Sequence, residues 1–255
     1  MIQFRASSFG YLMVEPKNKS EKLSETTKTH LIDVYVSHQY GRKEEIDSKF
    51  LKKGNEREED GITLVSRKDK VLYLKNEEHL SNEYVRGTPD LFLGESIHKA
   101  DVIKDTKLSW SAHTFFRAKF AKLNPLYYWQ IMCYLWLTGA KKGYVSYCLV
   151  NGTHQAITDE KRRLQWSMGL IDPSASEVYK ERCKQIEINH IFDLEQFLSE
   201  YPDYEFDNDI SKWSYDIPLK DRVFEKEVLA DSAIFEKMRD KAILCNDYIN
   251  NELKS

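Results

Sequence analysis

The most legible segment of the chain is Leu126–Leu137, apolar at nearly every position, opened by Pro125 and closed by Thr138-Gly139. Proline in a first turn and glycine just past a last turn bracket a helix: the missing proline N–H is not needed there, and glycine accepts the closing left-handed conformation. A surface that is apolar all round predicts a buried helix. One strongly polar side chain sits inside it, Gln130. Upstream the pattern is that of strands: Val71–Leu74, Glu83–Arg86, a turn at Gly87-Thr88-Pro89, Asp90–Leu93, a second turn from Gly94, and Ala100–Leu108. Gly143–Val150 reads as a further strand with Val145, Tyr147 and Leu149 on one side. Ser20–Ser66 is polar and helix-compatible and ends in the charged stretch Lys52–Asp60. Beyond Asn151 the pattern turns helical and amphipathic through Lys161–Leu170, Glu177–Ile188 and Ser232–Leu253.

The order helix, strands, helix, strand, further helices predicts an α/β fold with a mixed central sheet. Tight turns set the early strands antiparallel, and the buried helix makes a crossover. No proline-rich or glycine/serine-rich linker and no repeat divides the 255 residues. A single domain over 1–255 is expected, with a core over about 1–150 and a peripheral helical part over about 151–255.

Composition changes this picture little: 41% hydrophobic, 31% charged, net charge −3. That balance argues against bulk coating of nucleic acid but is compatible with a local basic groove beside an acidic site. Basic residues cluster at Lys49, Lys52, Lys53 and Arg57, at Arg117, Lys119 and Lys122, and at Lys161, Arg162 and Arg163. Asp193–Asp209 is acidic without a single basic residue. A solvated face is the default for each such run. The cysteines Cys133, Cys148, Cys183 and Cys245 form no CxxC pair, which argues against a zinc ribbon or clustered iron–sulfur motif and fits a reducing cytoplasm. The N-terminus lacks a signal-peptide pattern, and no apolar run approaches a membrane span.

The candidate chemistry lies on the strands. Asp90 follows a rigid turn, and Asp105 and Lys107, two residues apart, project from one face of their strand. A hairpin-like pairing would set Asp90 beside Asp105. Two carboxylates and a backbone carbonyl can hold Mg²⁺ while leaving room for water and phosphate, and a neighbouring lysine can position the attacking water or stabilise developing charge. The bare acidic-x-Lys pattern recurs at Glu15, Asp47, Asp159 and Glu252, so the alternative is a solvated edge strand. Gln130 needs partners, because an unpaired buried amide costs roughly 1–3 kcal/mol. A metal ligand, a catalytic water, a phosphate or the backbone could each satisfy it. Tyr127–Trp136 reads as core, whereas Trp110 and Phe115–Phe116, beside Arg117 and Lys119, are candidates for DNA contact as well as for core packing. No histidine spacing suits a metal, and no Gly-x-x-x-x-Gly-Lys phosphate loop exists.

Taken in order, Gly54-Asn-Glu-Arg-Glu58, Gly87-Thr-Pro-Asp90, Asp105-Thr-Lys107 and Tyr127-Tyr-Trp-Gln130-Ile-Met-Cys-Tyr134 resemble the PD-(D/E)XK nuclease superfamily. Within it the chain is most similar to the phage lambda exonuclease-like (YqaJ-type) viral recombinase nucleases. Trp136-Leu-Thr-Gly139 and the opening Arg5-Ala-Ser7-Ser8 also fit, so the resemblance covers about residues 5–150, with a weaker match near Ile217-Pro218 and Arg222. It implies a restriction-endonuclease-like core with helical C-terminal additions. It further implies Mg²⁺ (or Mn²⁺) on Asp90, Asp105 and the carbonyl of Thr106, with Glu58 contacting the metal or its water. Lys107 would assist the water, and Gln130 would orient the site or touch the scissile phosphate.

Ser7 and Thr88, with Arg5, match positions near a DNA 5′-phosphate. The implied activity is 5′-to-3′ resection of double-stranded DNA ends in phage recombination, in the host cytoplasm. The implied partners are a single-strand annealing protein and further copies in a ring. An endonuclease or repair nuclease of the same fold, and a catalytically silent DNA-binding module, are the other readings to separate.

Overall fold

A computed structural model describes residues 1–44, 53–54, 56–173 and 176–254 of the chain. Lys49 and Lys52 of the first basic cluster, Asp47 and Asn55 lie outside the described residues.

The chain opens with β1 (Phe4–Arg5), a 3₁₀ turn over Ala6–Ser8, α1 (Phe9–Leu12) and α2 (Glu25–Tyr40), then α3 (Glu58–Asp69). Next come β2 (Leu80–Ser81), β3 (Val85–Gly87), β4 (Leu91–Gly94) and β5 (Ala100–Leu108). They are followed by α4 (Ala112–Phe120), α5 (Pro125–Thr138), β6 (Lys142–Cys148), α6 (His154–Ser167), α7 (Glu177–His190) and α8 (Leu194–Glu200). β7 (Val223–Leu229) and α9 (Ser232–Tyr248) complete the set, with a π-helical turn over Ile249–Leu253.

The central sheet runs β4-β5-β6-β7, antiparallel at both flanks and parallel between β5 and β6. A small second sheet, β1-β3-β2, carries the N-terminus beside it. This is the mixed α/β architecture expected from the element order.

The buried helix forms as expected. The Asn124 side chain accepts from Leu126 N, Pro125 occupies the first turn, and Gly139 closes the helix at φ +74°. Ile131, Met132, Cys133 and Leu135 are fully buried. The helix sits close on the sheet because Gly143 of β6 has no side chain: a Cβ there would stand 2.7 Å from Ile131. On the opposite face α3 packs as closely, since a Cβ on Gly61 would meet Leu108 at 2.6 Å. The sheet therefore separates a large core around α5 from a smaller one around Ile62, Val65 and Leu91. All four cysteines are free and buried.

Two expectations require correction, and one helix is additional to them. Val71–Leu74 is not a strand: Tyr73 is buried, but Leu72 and Leu74 are 85% and 76% exposed, so a single side chain found the core. α4 was not anticipated, although Ser111 and Thr114 form a reciprocal capping box at its start. The C-terminal part is not wholly peripheral, because β7 supplies the fourth strand of the central sheet. Its sequence, Val-Phe-Glu-Lys-Glu-Val-Leu, hides the strand by carrying charges that find partners across the sheet: Glu225 binds Lys104 and Lys68 at 2.7 and 2.6 Å.

The acidic segment is also less solvated than its composition suggests. Asp193, Glu200 and Asp207 pair with Arg222, Arg57 and Lys161. Among the described residues, no helix is long and apolar enough to cross a membrane.

Candidate active site

The turn at Gly87-Thr88-Pro89 delivers Asp90 to the first position before β4, and the β4–β5 register does the rest. Leu91 faces Lys104, so the next pair along the ladder sets Asp90 opposite Asp105. Asp90 Oδ2 accepts from the backbone N–H of Thr106 at 2.7 Å and from its hydroxyl at 2.8 Å. Asp105, on the face of β5 turned to α5, accepts from Gln130 Nε2 at 3.0 Å through Oδ1. Its Oδ2 lies 2.6 Å from Lys107 Nζ. That approach is a charge contact without hydrogen-bond geometry, and this buried oxygen has no hydrogen-bond donor.

The electrostatics follow from crowding. Burial, and then the facing charge of Asp105, push the Asp90 carboxyl up to about 7. Burial opposes the charge on Lys107, but Asp105 and Asp90 outweigh it and hold the ammonium above its ordinary value. The ammonium also stands 5.0 Å from the Tyr127 ring centroid. Tyr134 is pushed well upward by burial and by Asp105, so its hydroxyl stays protonated, and it lies 2.9 Å from Gln130 Nε2.

Two carboxylates facing each other in a desolvated place, one with an oxygen lacking a donor, form a hard-oxygen set suited to a divalent cation such as Mg²⁺. The Thr106 carbonyl, next along the same strand, would be the third donor for such an ion. Among the described residues, no three His, Cys, Asp or Glu side chains group as a metal cage. Glu58 stands in the first turn of α3 with its carboxylate on Lys75 at 2.7 Å. Lys75 in turn feels the charge of Asp90, so Glu58 meets the site through this lysine. Lys75 was invisible in the sequence, being one of several charges in a polar connector.

Arg5, Ser7 and Thr88 also converge. They line a cleft of about 990 Å³ with Arg86, His79 and Tyr134 among its other walls. His79 Nδ1 and the Thr88 hydroxyl lie 3.1 Å apart. Gly87 allows the turn to approach: a Cβ there would stand 2.8 Å from the Tyr134 ring and 2.9 Å from Ala6 Cβ. Tyr134 thus borders the cleft with its ring and reaches Gln130 with its hydroxyl, a connection that the sequence reading missed because the residue looked like core.

No protein-family model matches the chain, and no curated relative matches it. Solved structures do. A phage-related exonuclease from Haemophilus somnus 129PT superposes over 99% of this chain and 96% of that one, with TM-score 0.68 and 20% identity. The chain shares the fold of that structure. An alkaline exonuclease from Laribacter hongkongensis agrees over 99% of this chain and 90% of that one, with TM-score 0.59 and 10% identity. The same Laribacter exonuclease in complex with dAMP matches with TM-score 0.57 and 11% identity. At such identities the likeness establishes this fold over essentially the whole chain, C-terminal strand included.

Proposed function

We propose that this protein is a Mg²⁺-dependent DNA exonuclease that resects linear duplexes from a 5′ end. The single observation that carries the proposal is the meeting of Asp90, Asp105 and Lys107 on paired strands, with Gln130 fixing Asp105, inside an exonuclease fold. A nucleotide-bound exonuclease of the same fold adds support.

Asp90, Asp105 and the Thr106 carbonyl would hold the metal. When bound, it would supply positive charge at the scissile phosphate and lower the pKa of the attacking water. The protein's own contributions are separable from that. Gln130 and Thr106 fix the two carboxylates through their hydrogen bonds. Lys107, kept protonated, is a fixed cation for the developing phosphate charge or an anchor for the attacking water. Arg5, Ser7, Arg86 and Thr88 make a cationic, hydroxyl-bearing cleft suited to a terminal 5′-phosphate. Resection of this polarity would yield a 3′ overhang, the substrate of strand annealing in phage recombination.

The deciding experiment digests 5′-phosphorylated linear, 5′-hydroxyl linear and closed circular duplexes with Mg²⁺ over time. Fast loss of the first, slower loss of the second and survival of the circle are expected. Cleavage of the circle would assign an endonuclease. Binding without any hydrolysis would assign a silent DNA-binding module.

A further inference from the structure

We infer that α4 carries a subsite for unpaired DNA bases, separate from the catalytic centre and from the 5′-end cleft. The inference rests on the DNA nuclease reading above and extends it to a surface which that reading leaves unused.

The site is an apolar cup of about 620 Å³ lined by Ala112, His113, Phe116, Arg117, Phe120 and Ala121. Phe120 is 82% exposed, which a folded chain does not need for its core. Phe115, five residues earlier, is fully buried and anchors the helix. The sequence had offered Phe115–Phe116 as either core or DNA contact, and the structure divides them: Phe115 packs inward, while Phe116 opens to the cup.

Charge identifies the occupant. Although 41 of the 255 residues are acidic, none lies between Thr106 and Thr158. The cup sits within this acid-free stretch, beside Arg117, Lys119 and Lys122. Lys119 Nζ stands 5.6 Å from the Phe116 ring centroid. From β7, Lys226 donates to the carbonyl of Ala121. The neighbouring acids of β7 are engaged elsewhere, Glu225 with Lys68 and Lys104 and Glu227 with the Tyr144 hydroxyl. A polyanion that also presents flat aromatic faces satisfies both halves of such a surface, and single-stranded DNA is that ligand.

The cup is also tied to the catalytic centre. An aromatic series runs from Lys107 over Tyr127, then Tyr147, Phe224, Phe115 and Phe116, in steps of 5.0, 6.1, 4.6, 4.9 and 5.3 Å. Packed rings of this kind hold α4 at a fixed distance from Lys107.

The test uses the full-length protein in EDTA, so that hydrolysis plays no part, with a single-stranded oligonucleotide carrying 5-iododeoxyuridine. Photocrosslinking followed by mass spectrometry should place the adduct within Ser111–Lys122. Phe120→Ala should weaken binding of the oligonucleotide by about five- to a hundredfold, the value of one base–aromatic stack. Phe120→Tyr should keep the affinity, and Arg117→Ala should lower the slope of log K against log salt by about 0.7. Trp166→Ala removes an equally exposed aromatic beside Arg162 and Arg163 and should change nothing.

Adducts mapping elsewhere, or wild-type affinity in Phe120→Ala, would overturn the subsite. So would a change of oligomeric state in Phe120→Ala at unaltered affinity, which would make the cup a contact between copies. An active nuclease without the crosslink removes the subsite alone, whereas a crosslinked but inactive protein removes the nuclease reading and keeps the subsite.

Discussion

Gln130 and Tyr134, one helical turn apart on α5, meet at 2.9 Å, and the same amide nitrogen reaches Asp105 at 3.0 Å. One side chain therefore joins the carboxylate pair to the wall of the cleft lined by Arg5, Ser7 and Thr88. Gln130→Ala should strip Asp105 of its amide donor and leave the Tyr134 hydroxyl without this partner. Activity should fall at least tenfold while stability drops by about 1–3 kcal/mol. Nuclease assays paired with urea melts would check both, and unchanged kcat/KM would refute the positioning role.

Lys107→Ala should reduce hydrolysis by at least about a hundredfold. Because Lys107 is not part of the apolar core, the variant should keep a single cooperative melting transition, checked by circular dichroism. Asp90→Ala should behave likewise, and full activity in either variant would dismiss the proposed centre.

The Asp90 carboxyl makes the stability of the metal-free protein depend on pH. Its folded value, about 7, is raised above the ordinary 3.8. The sign follows: the folded state binds the proton more tightly, so this contribution is fully present below pH 4 and is lost as pH rises through 7. Asp90→Asn should therefore melt above the wild type by about 2–6 °C at pH 8 in EDTA, with a smaller gain at pH 5. Added Mg²⁺ should raise the wild-type melting temperature at pH 8 and leave that of the variant nearly unmoved. Calorimetric scans at both pH values measure all of this.

Gly87→Ala should cost about 1–3 kcal/mol, since its methyl would press into the Tyr134 ring and Ala6 at 2.8 and 2.9 Å. Chemical denaturation reports the loss. Preference for a 5′-phosphorylated over a 5′-hydroxyl end should shrink with it, because Thr88 moves with the turn.

Arg5→Ala and Thr88→Val should narrow that preference without changing the chemistry once a strand is engaged. The readout is KM for the 5′-phosphorylated duplex rising several-fold at constant kcat. A fall in kcat alone would place these residues outside the end-binding cleft.

Asp90, Asp105, Lys107 and Gln130 were legible in the sequence because strands and a buried helix impose fixed periods. A residue's face follows from counting, and an amide in an apolar helix must have partners. β5 was placed without error for the same reason. β7 escaped because its partners lie far away: Glu225 meets Lys104 from 121 residues off, and no local pattern records such a pairing. Lys75 and Tyr134 escaped for opposite reasons, one looking like any surface charge and the other like any core ring. Glu58 pairs with Lys75 at 2.7 Å, a contact that depends on where α3 docks and that no local pattern records.

The segment before β1 is clasped to α9. Ile2 N–H donates to the Asn246 side chain at 2.7 Å, and the Asn246 amide returns a bond to the Ile2 carbonyl at 3.2 Å. β1, with Arg5 and the turn bearing Ser7, is therefore locked by a residue 244 positions away. During synthesis this clasp forms only after α9 has emerged from the ribosome. A nascent chain therefore sets Asp90 and Asp105 on their paired strands before α9 can fasten the segment that carries Arg5 and Ser7.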